Sequence, residues 1–587
     1  MRCENNFMDI RDIEQIAPVS RGSTEIFKTG QWGSGKPVYV EKTSPCRQAC
    51  PAGIDMARAL AAAALGRLDE ALRIVREDNP LPGVCGRVCY HPCEQECNRK
   101  DFDQAVNIRG FERYLSDHGR VDLERDLPAE LKKEKVAVIG SGPAGLSAAW
   151  QLARLGYPVT IFEARPEPGG MLRYGIPEYR LPVEVLQREI GYIRQLGVKI
   201  RTGVRAGKDI ALTEINKEYQ ALFLAAGAQG SRRLGIEGED LPDVLEGIRF
   251  LRGVRYGEMV KIGRRVVVIG GGNTAVDCAR TARRLGGEEV TILYRRTRAE
   301  MPALADDLNG AEREGIRLEY PSRPKRLIEE KGRLAALECL RMEPGPPDED
   351  GRPRPVPIPG SEFILPLETV IVAVGQVPEA EFVGDLGLPL NRLGQIEMVP
   401  GTAATAVPGV FAGGDGAGGR AFVADAIAGG KTGALAIACY LEGRDFKTER
   451  ERLRIGSGES LALAPFRAAE KTPADLKKIV FFDQLNSICF QPSRRQENLE
   501  RMDPAEGLKH FEELTGGLAP AQMKDEIARC FKCGTCIHCD LCFLLCPDVS
   551  IRKVGWEGYL VNSDYCKGCG QCAATCPRQV IEMGGPA

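Results

Sequence analysis

The chain has 587 residues, a formal net charge of -2, 43% hydrophobic and 27% charged side chains. That length exceeds what one core supports and predicts three or more domains, and the balanced charge excludes a role built on nucleic acid or an anionic membrane surface. No apolar run is long enough to span a bilayer, and MRCENNFMDIRDIEQ lacks a signal peptide's apolar core, so no membrane insertion and a cytoplasmic location are expected.

Residues 1–40 read as a polar, Gly-rich extension. Residues 41–130 hold the first cysteine block, with Cys46, Cys50, Cys85, Cys89, Cys93 and Cys97 all at x3 spacing, interrupted by the amphipathic helix pattern DMARALAAAALGRLDEALRIVRE. Of the 21 cysteines, seventeen lie toward the two ends, Cys3 and the two cysteine blocks; only Cys278, Cys339, Cys439 and Cys489 lie between. Clustering at short spacings in a cytoplasmic chain points to metal rather than disulfides.

Residues 131–450 alternate β-branched runs with helical patterns, which predicts α/β architecture with parallel sheets. KVAVIGSGPAGLSAAWQLARLGYPVTIFEA reads strand, tight turn, helix, strand, acid. Gly140 makes the turn and Gly142 lets backbone approach a pyrophosphate. Pro143 and Ala144 open the helix, and Gly145 lets it pack on the strand. Glu163 ends the second strand, where it can accept from ribose hydroxyls, and Gly170 in EPGGMLRYG is grouped with this loop. RRVVVIGGGNTAVDCARTARRLGGEEVTILYRR repeats the design with Gly270, Gly272, Asn273, Thr274 and Ala275. Its second strand ends not in an acid but in Tyr294, Arg295 and Arg296, with Arg298 close behind. Arginines there can bind a 2′-phosphate in forked geometry, so NADPH is expected over NADH; the competing reading is a solvated arginine face. EPGPPDEDGRPRPVPIPG reads as a Pro-rich loop or hairpin. A third Gly-rich element, GVFAGGDGAGGRAFVADAIAGGKTGALAI, places Asp415 after a strand and starts a helix near Val423.

Residues 451–527 read as a polar, helical linker. In 528–587, Cys536, Cys539, Cys542 and Cys546 before Pro547, and Cys566, Cys569, Cys572 and Cys576 before Pro577, each make the C-x2-C-x2-C-x3-C-P run of bacterial ferredoxins. In two-cluster ferredoxins the fourth cysteine serves the other cluster. One [4Fe-4S] cluster then takes Cys536, Cys539, Cys542 and Cys576, and the other takes Cys566, Cys569, Cys572 and Cys546. Structural zinc is the competing reading. Cys530 and Cys533 are surplus: either spare thiols, or partners of ligands from another chain or the linker.

The paired dinucleotide units and third element resemble the two-dinucleotide-binding flavoprotein family. The resemblance implies a discontinuous FAD domain (131–246 and 365–450) with an inserted NADP domain (247–364). It places Asp415 at the ribityl–phosphate region of FAD. Many such proteins exchange disulfides, but Cys278 stands alone, so that chemistry is not expected. SPCRQACPAGID, VCGRVCYHPCEQECN and AVNIRGFERYLSD resemble the N-terminal iron–sulfur domain shared by the glutamate synthase small subunit and dihydropyrimidine dehydrogenase. Carried over, one cluster takes Cys50, Cys89, Cys93 and Glu112. The family's second cluster uses residues matching Cys46 and Cys97 plus an upstream CxxC, which VYVEKTSPC lacks. Cys46, Cys85 and Cys97 are left either to hold a cluster with a non-cysteine ligand or to be structural.

The whole order looks like a glutamate synthase small-subunit-type oxidoreductase with an added two-cluster ferredoxin tail. The resemblance implies a subunit passing electrons between NADPH, FAD and [4Fe-4S] clusters, to or from a partner oxidoreductase subunit or ferredoxin, in a hetero-oligomer. The alternatives are the NADP-site subunit of a flavin-bifurcating ferredoxin:NADP oxidoreductase and a scaffold with inactive nucleotide sites. The cofactors carry the chemistry, so no protein acid–base residue is expected to be essential.

Overall fold

A computed structural model describes residues 28–348, 351–467, 474–499, 502–555 and 558–584. The first cysteine block folds as a helical domain built on Met56–Ala64, Leu68–Asp78, Pro82–Val88 and Ile108–His118. Two of these helices start on side-chain caps: Asp55 accepts from Arg58 N at 3.1 Å, and Asn107 accepts from Gly110 N at 2.8 Å. Helices Pro82–Val88 and Ile108–His118 cross where Gly86 lies against the Arg113 backbone, too close for a Cβ. That approach brings the cysteines of one helix to Glu112 on the other.

The first nucleotide unit is a five-stranded parallel sheet ordered Val410–Ala412, Ala221–Leu224, Val136–Ile139, Val159–Glu163, Lys199–Thr202. The first four strands are fully buried, as expected of a parallel sheet covered on both faces. Helices Pro143–Arg154 and Val423–Glu442 pack together where Gly430 meets the Ala144 carbonyl. One continuous apolar core joins this sheet to the helical domain, with Trp150 donating to Arg76 O at 3.1 Å.

The second unit is also five-stranded and parallel: Arg317–Glu319, Glu289–Leu293, Arg265–Ile269, Thr369–Val372, Val244–Glu246. Its sheet therefore extends beyond the expected 247–364 at both ends. The apolar Thr369–Val372 strand finds its partners beside Arg265–Ile269, not in the first sheet. The chain crosses between units through a short antiparallel pair, Gly230–Ser231 with Gln376–Val377. The Pro-rich stretch forms a hairpin, Arg333–Pro347 with Pro353–Pro366, alongside Ser322–Glu330.

Of the expected 1–40 extension, residues 1–27 lie outside the described residues; its remainder and the expected linker are structural parts of their neighbours. Lys36–Tyr39 pairs antiparallel with Ile581–Gly584, so the extension's end completes the C-terminal domain. Residues 451–527 are not a helical connector. Ala474–Ile479 lies parallel to Glu41–Thr43, and 490–499 runs extended along the helical domain. The helix Pro520–Arg529 packs on Met56–Ala64 and Ile108–His118. Its buried Arg529 pairs with Glu526 at 2.7 Å and Asp103 at 3.0 Å, while Glu526 accepts from Asn107 N at 2.7 Å. Polar composition misleads here because, among mostly exposed charges, Glu513 and Glu526 are buried and paired to arginines outside the segment. Among the described residues no helix is long and apolar enough to cross a membrane.

Candidate functional site

The first Gly-rich loop is shaped by backbone crowding. Gly140 has φ +100°, and a Cβ there would strike the Ala225 carbonyl. Gly145 sits against the Gly140 carbonyl, which holds the helix on the strand. Gly142, with an ordinary φ of -69°, has nothing within 4 Å of the position a Cβ would take. The protein leaves that space open at a helix N-terminus, where free N–H groups suit phosphate oxygens. Gly170 lies against Gly142. Glu163 ends its strand buried; its Oε2 accepts from both Ser141 N, at 2.9 Å, and Ser141 Oγ, and its Oε1 from Arg165 N at 2.8 Å, so its first task is to hold the loop and only Oε1 keeps a further lone pair. Asp415 is packed against the same loop through Gly414, whose Cβ position meets Ala144. Its Oδ1 is buried with no hydrogen-bond partner, and so is Oδ2 of Asp425. Burial and the neighbouring Asp425 push the Asp415 carboxyl up to about 6. Orphaned buried oxygens beside an open glycine cradle suit a hydroxyl-bearing, pyrophosphate-containing ligand such as FAD.

The second loop repeats the strain: Gly270 has φ +145° against the Ala373 carbonyl. Ala275 is buried in the helix, and Asn273 accepts from Leu304 N at 2.9 Å, fixing the loop that faces Gly272 and Thr274. The arginines divide. Arg296 is buried, donating to Pro353 O at 3.0 Å and Asp348 at 2.5 Å, so it anchors the Pro-rich hairpin. Arg298 binds Asn309 and Glu312. Arg295 is exposed and joins no described residue by ion pair or hydrogen bond. Arg295 therefore remains available to a 2′-phosphate, and Arg296 does not.

In the helical domain Cys50, Cys85, Cys89 and Cys93 are buried. Cys50, Cys85 and Cys89 all sense the carboxylate of Glu112, and Cys93 senses Cys50 and Cys89. Glu112 accepts from Asn79 Nδ2 at 2.7 Å, and burial pushes its carboxyl up to about 8. Cys85 thus sits with this group, not with Cys46 and Cys97. Those two meet Cys530 and Cys533 instead. Sequence reasoning missed this convergence; the only signal was that both sets had unmatched cysteines.

At the C-terminus Cys536, Cys542, Cys546, Cys572 and Cys576 gather in one small apolar cluster, with Cys539 near Cys542. Cys572 senses Cys566 and Cys569. Cys546 accepts from Ser550 N at 3.4 Å, and this contact helps hold its thiol below the ordinary range. Tyr39, from the supposed extension, reaches in to donate to Cys542 Sγ at 3.3 Å. Among the described residues no three Cys, His, Asp or Glu side chains converge on one point as the ligands of a single ion do.

The family model described as pyridine nucleotide-disulphide oxidoreductase matches residues 134–430. The chain belongs to that family. In this pyridine nucleotide oxidoreductase, residues 40–122 match the model described as dihydropyrimidine dehydrogenase domain II, 4Fe-4S cluster, and 559–582 match a 4Fe-4S binding domain. It is 39% identical over 84% of its length to the NADP(+)-dependent formate dehydrogenase subunit beta of Moorella thermoacetica, covering 70% of that protein. It is also 39% identical over 84% of its length to the NADPH-Fe(3+) oxidoreductase subunit beta of Geobacter sulfurreducens, covering 76%. With the glutamate synthase [NADPH] small chain of Escherichia coli it shares 34% identity over 74% of its length and 94% of that chain. The family's disulfide chemistry has no counterpart at Cys278, which is fully buried against Gly247 O at 3.5 Å.

Proposed function

We propose that this oxidoreductase carries electrons between NADPH and a partner subunit through FAD and [4Fe-4S] clusters. The observation that supports it most is the junction of the helical domain with the helix Val423–Glu442. Tyr90, next to Cys89, packs tilted on Phe422 with ring centroids 4.3 Å apart, and Phe422 caps the helix whose first turn carries Asp425. The Cys50, Cys89, Cys93 and Glu112 group therefore lies one aromatic contact from the helix start that adjoins the orphaned Asp415 oxygen.

Flavin exchanges a hydride with nicotinamide and single electrons with clusters, which makes it the converter between the two carriers. The chain's own residues position and tune. Gly142 and the helix start behind it receive the flavin pyrophosphate, Asp415 and Glu163 accept from hydroxyls, and Arg295 takes the 2′-phosphate of NADPH. Cys50, Cys89, Cys93 and Glu112 hold one cluster; Asn79 fixes the carboxylate. The two C-terminal quartets hold the exit clusters. Around them Leu544, Val549 and Leu560 are 68%, 72% and 63% exposed, and Cys539 and Cys569 are exposed too, which supports docking of a partner oxidoreductase subunit or ferredoxin there.

Anaerobic titration of the holo-chain tests this. NADPH should bleach the flavin faster than NADH and give rise to reduced-cluster EPR signals. Absence of bleaching by either nucleotide would refute the relay.

A further inference from the structure

Cys46, Cys97, Cys530 and Cys533 line one small cavity, closed by Leu60, Ile108 and Phe531. The four come from three distant places. Cys46 lies on the short helix Pro45–Ala49, Cys97 follows the last helical cysteine motif, and Cys530 and Cys533 follow Pro520–Arg529. The fold holds them together rigidly. Arg99, beside Cys97, donates to Arg529 O at 2.8 Å and lies over the Phe531 ring at 4.8 Å; Lys42 N donates to Gly534 O at 2.8 Å.

The cavity is prepared for negative sulfur. Asn98 Nδ2 donates to Cys533 Sγ at 3.2 Å, Lys532 N donates to Cys530 Sγ at 3.3 Å, and Ser44 Oγ lies 3.1 Å from Cys46 Sγ. Donors aimed at sulfur suit thiolates bound to metal and are among the levers that set cluster potentials. Lys532 beside Cys530 is 5% exposed and makes no ion pair among the described residues; its ammonium donates to Ile527 O. A buried cation without a carboxylate needs an anion nearby. Four thiolates around a four-iron cube supply net negative charge at that place.

We propose that Cys46, Cys97, Cys530 and Cys533 ligate a further [4Fe-4S] cluster that joins the helical domain to the C-terminal pair. The CxxC missing before Cys46 is thus replaced, in space, by Cys530 and Cys533 from the other end of the chain. Cys46 is one helical turn before Cys50, and Cys533 is three residues before Cys536, so the site lies between the two cluster groups. A cluster held there would pass single electrons between the Cys50 group and the Cys536 group, with no atom transferred.

This inference rests on the iron–sulfur relay proposed above, and one preparation tests both. Iron and acid-labile sulfide per full-length holo-chain, with native mass of the same sample, should give about sixteen irons, falling to about twelve in Cys533→Ser and staying near sixteen in Cys489→Ser (four irons per cluster). Native mass of the unmodified chain needs no variant, so a misfolded Cys533→Ser leaves the test intact. About twelve irons in the wild type, with or without a zinc ion, would overturn the proposal, as would a count unchanged by Cys533→Ser. Twelve irons with NADPH bleaching would sink this cluster and leave the relay; sixteen without bleaching would do the reverse.

Discussion

Nucleotide choice should rest on Arg295 alone. Arg295→Ala removes an exposed guanidinium that has no partner in the described protein, so its loss costs the fold little. A hydrogen bond to a charged group contributes about 1.5–3 kcal/mol, and about 1.4 kcal/mol is tenfold in affinity. NADPH binding should therefore weaken roughly 10- to 150-fold, from the same constants. NADH, lacking the 2′-phosphate, should bind unchanged. Arg296→Ala is the control: its guanidinium is committed to Asp348 and Pro353 O, so selectivity should hold while the Pro-rich hairpin loosens. Flavin bleaching measured against each nucleotide, anaerobically, gives the ratio directly. Unchanged selectivity in Arg295→Ala, or a shift in Arg296→Ala alone, would refute the division of labour between the two arginines.

Gly142→Ala should fold normally, because a Cβ there meets no protein atom within 4 Å, yet bind less FAD; flavin absorbance per chain at equal thermal stability checks this. Lys431 and Asp78, each 1% exposed, form a buried pair 2.8 Å apart that ties the helix Val423–Glu442 to the helical domain. Lys431→Met leaves Asp78 facing only the more distant Arg47, at 3.8 Å, and should cost about 3 kcal/mol, read by denaturant unfolding, whereas Lys431→Met with Asp78→Leu should recover much of it. Glu189 reaches from the FAD domain to accept from Gly83 N at 2.5 Å and Val84 N at 3.2 Å, and burial pushes its carboxyl up to about 7. A raised folded-state value means the native state binds the extra proton. Its contribution is full below about pH 4.5, is lost as pH rises through about 7, and has a slope of up to about 1.4 kcal/mol per pH unit. Glu189→Gln should flatten the stability–pH curve over that window; parallel curves would contradict it.

Local spacing proved the most informative feature of the sequence. A turn needing positive φ, a helix start open to phosphate and an acid at a strand end all lie within about thirty residues of one another, the span of a single βαβ unit, so Gly140, Gly142 and Glu163 were legible at once. The two C-x2-C-x2-C-x3-C-P runs at residues 536–547 and 566–577 were legible in the same way, as short-range spacing. The arginines were only half legible. Charge type pointed to a 2′-phosphate, but nothing nearby in sequence revealed that Asp348, over fifty residues on, would take Arg296. The segment 451–527 reads as a solvated linker along the chain because nothing local shows that Glu526 meets Arg529 in the core or that Glu513 meets Arg87, far away in sequence.

The sequence by itself determined the cofactor chemistry: two dinucleotide loops, two ferredoxin quartets and a helical cysteine block. Each is a short-range pattern whose function follows from backbone geometry and ligand spacing over a few turns of chain. Only the tertiary structure decided which distant pieces meet. Tyr39 reaches the C-terminal domain, Cys85 parts from Cys46 and Cys97, and Cys530 and Cys533 join those two across more than four hundred residues. Such meetings depend on how helices share one apolar core and how buried charges find partners, and neither leaves a periodic trace along the chain.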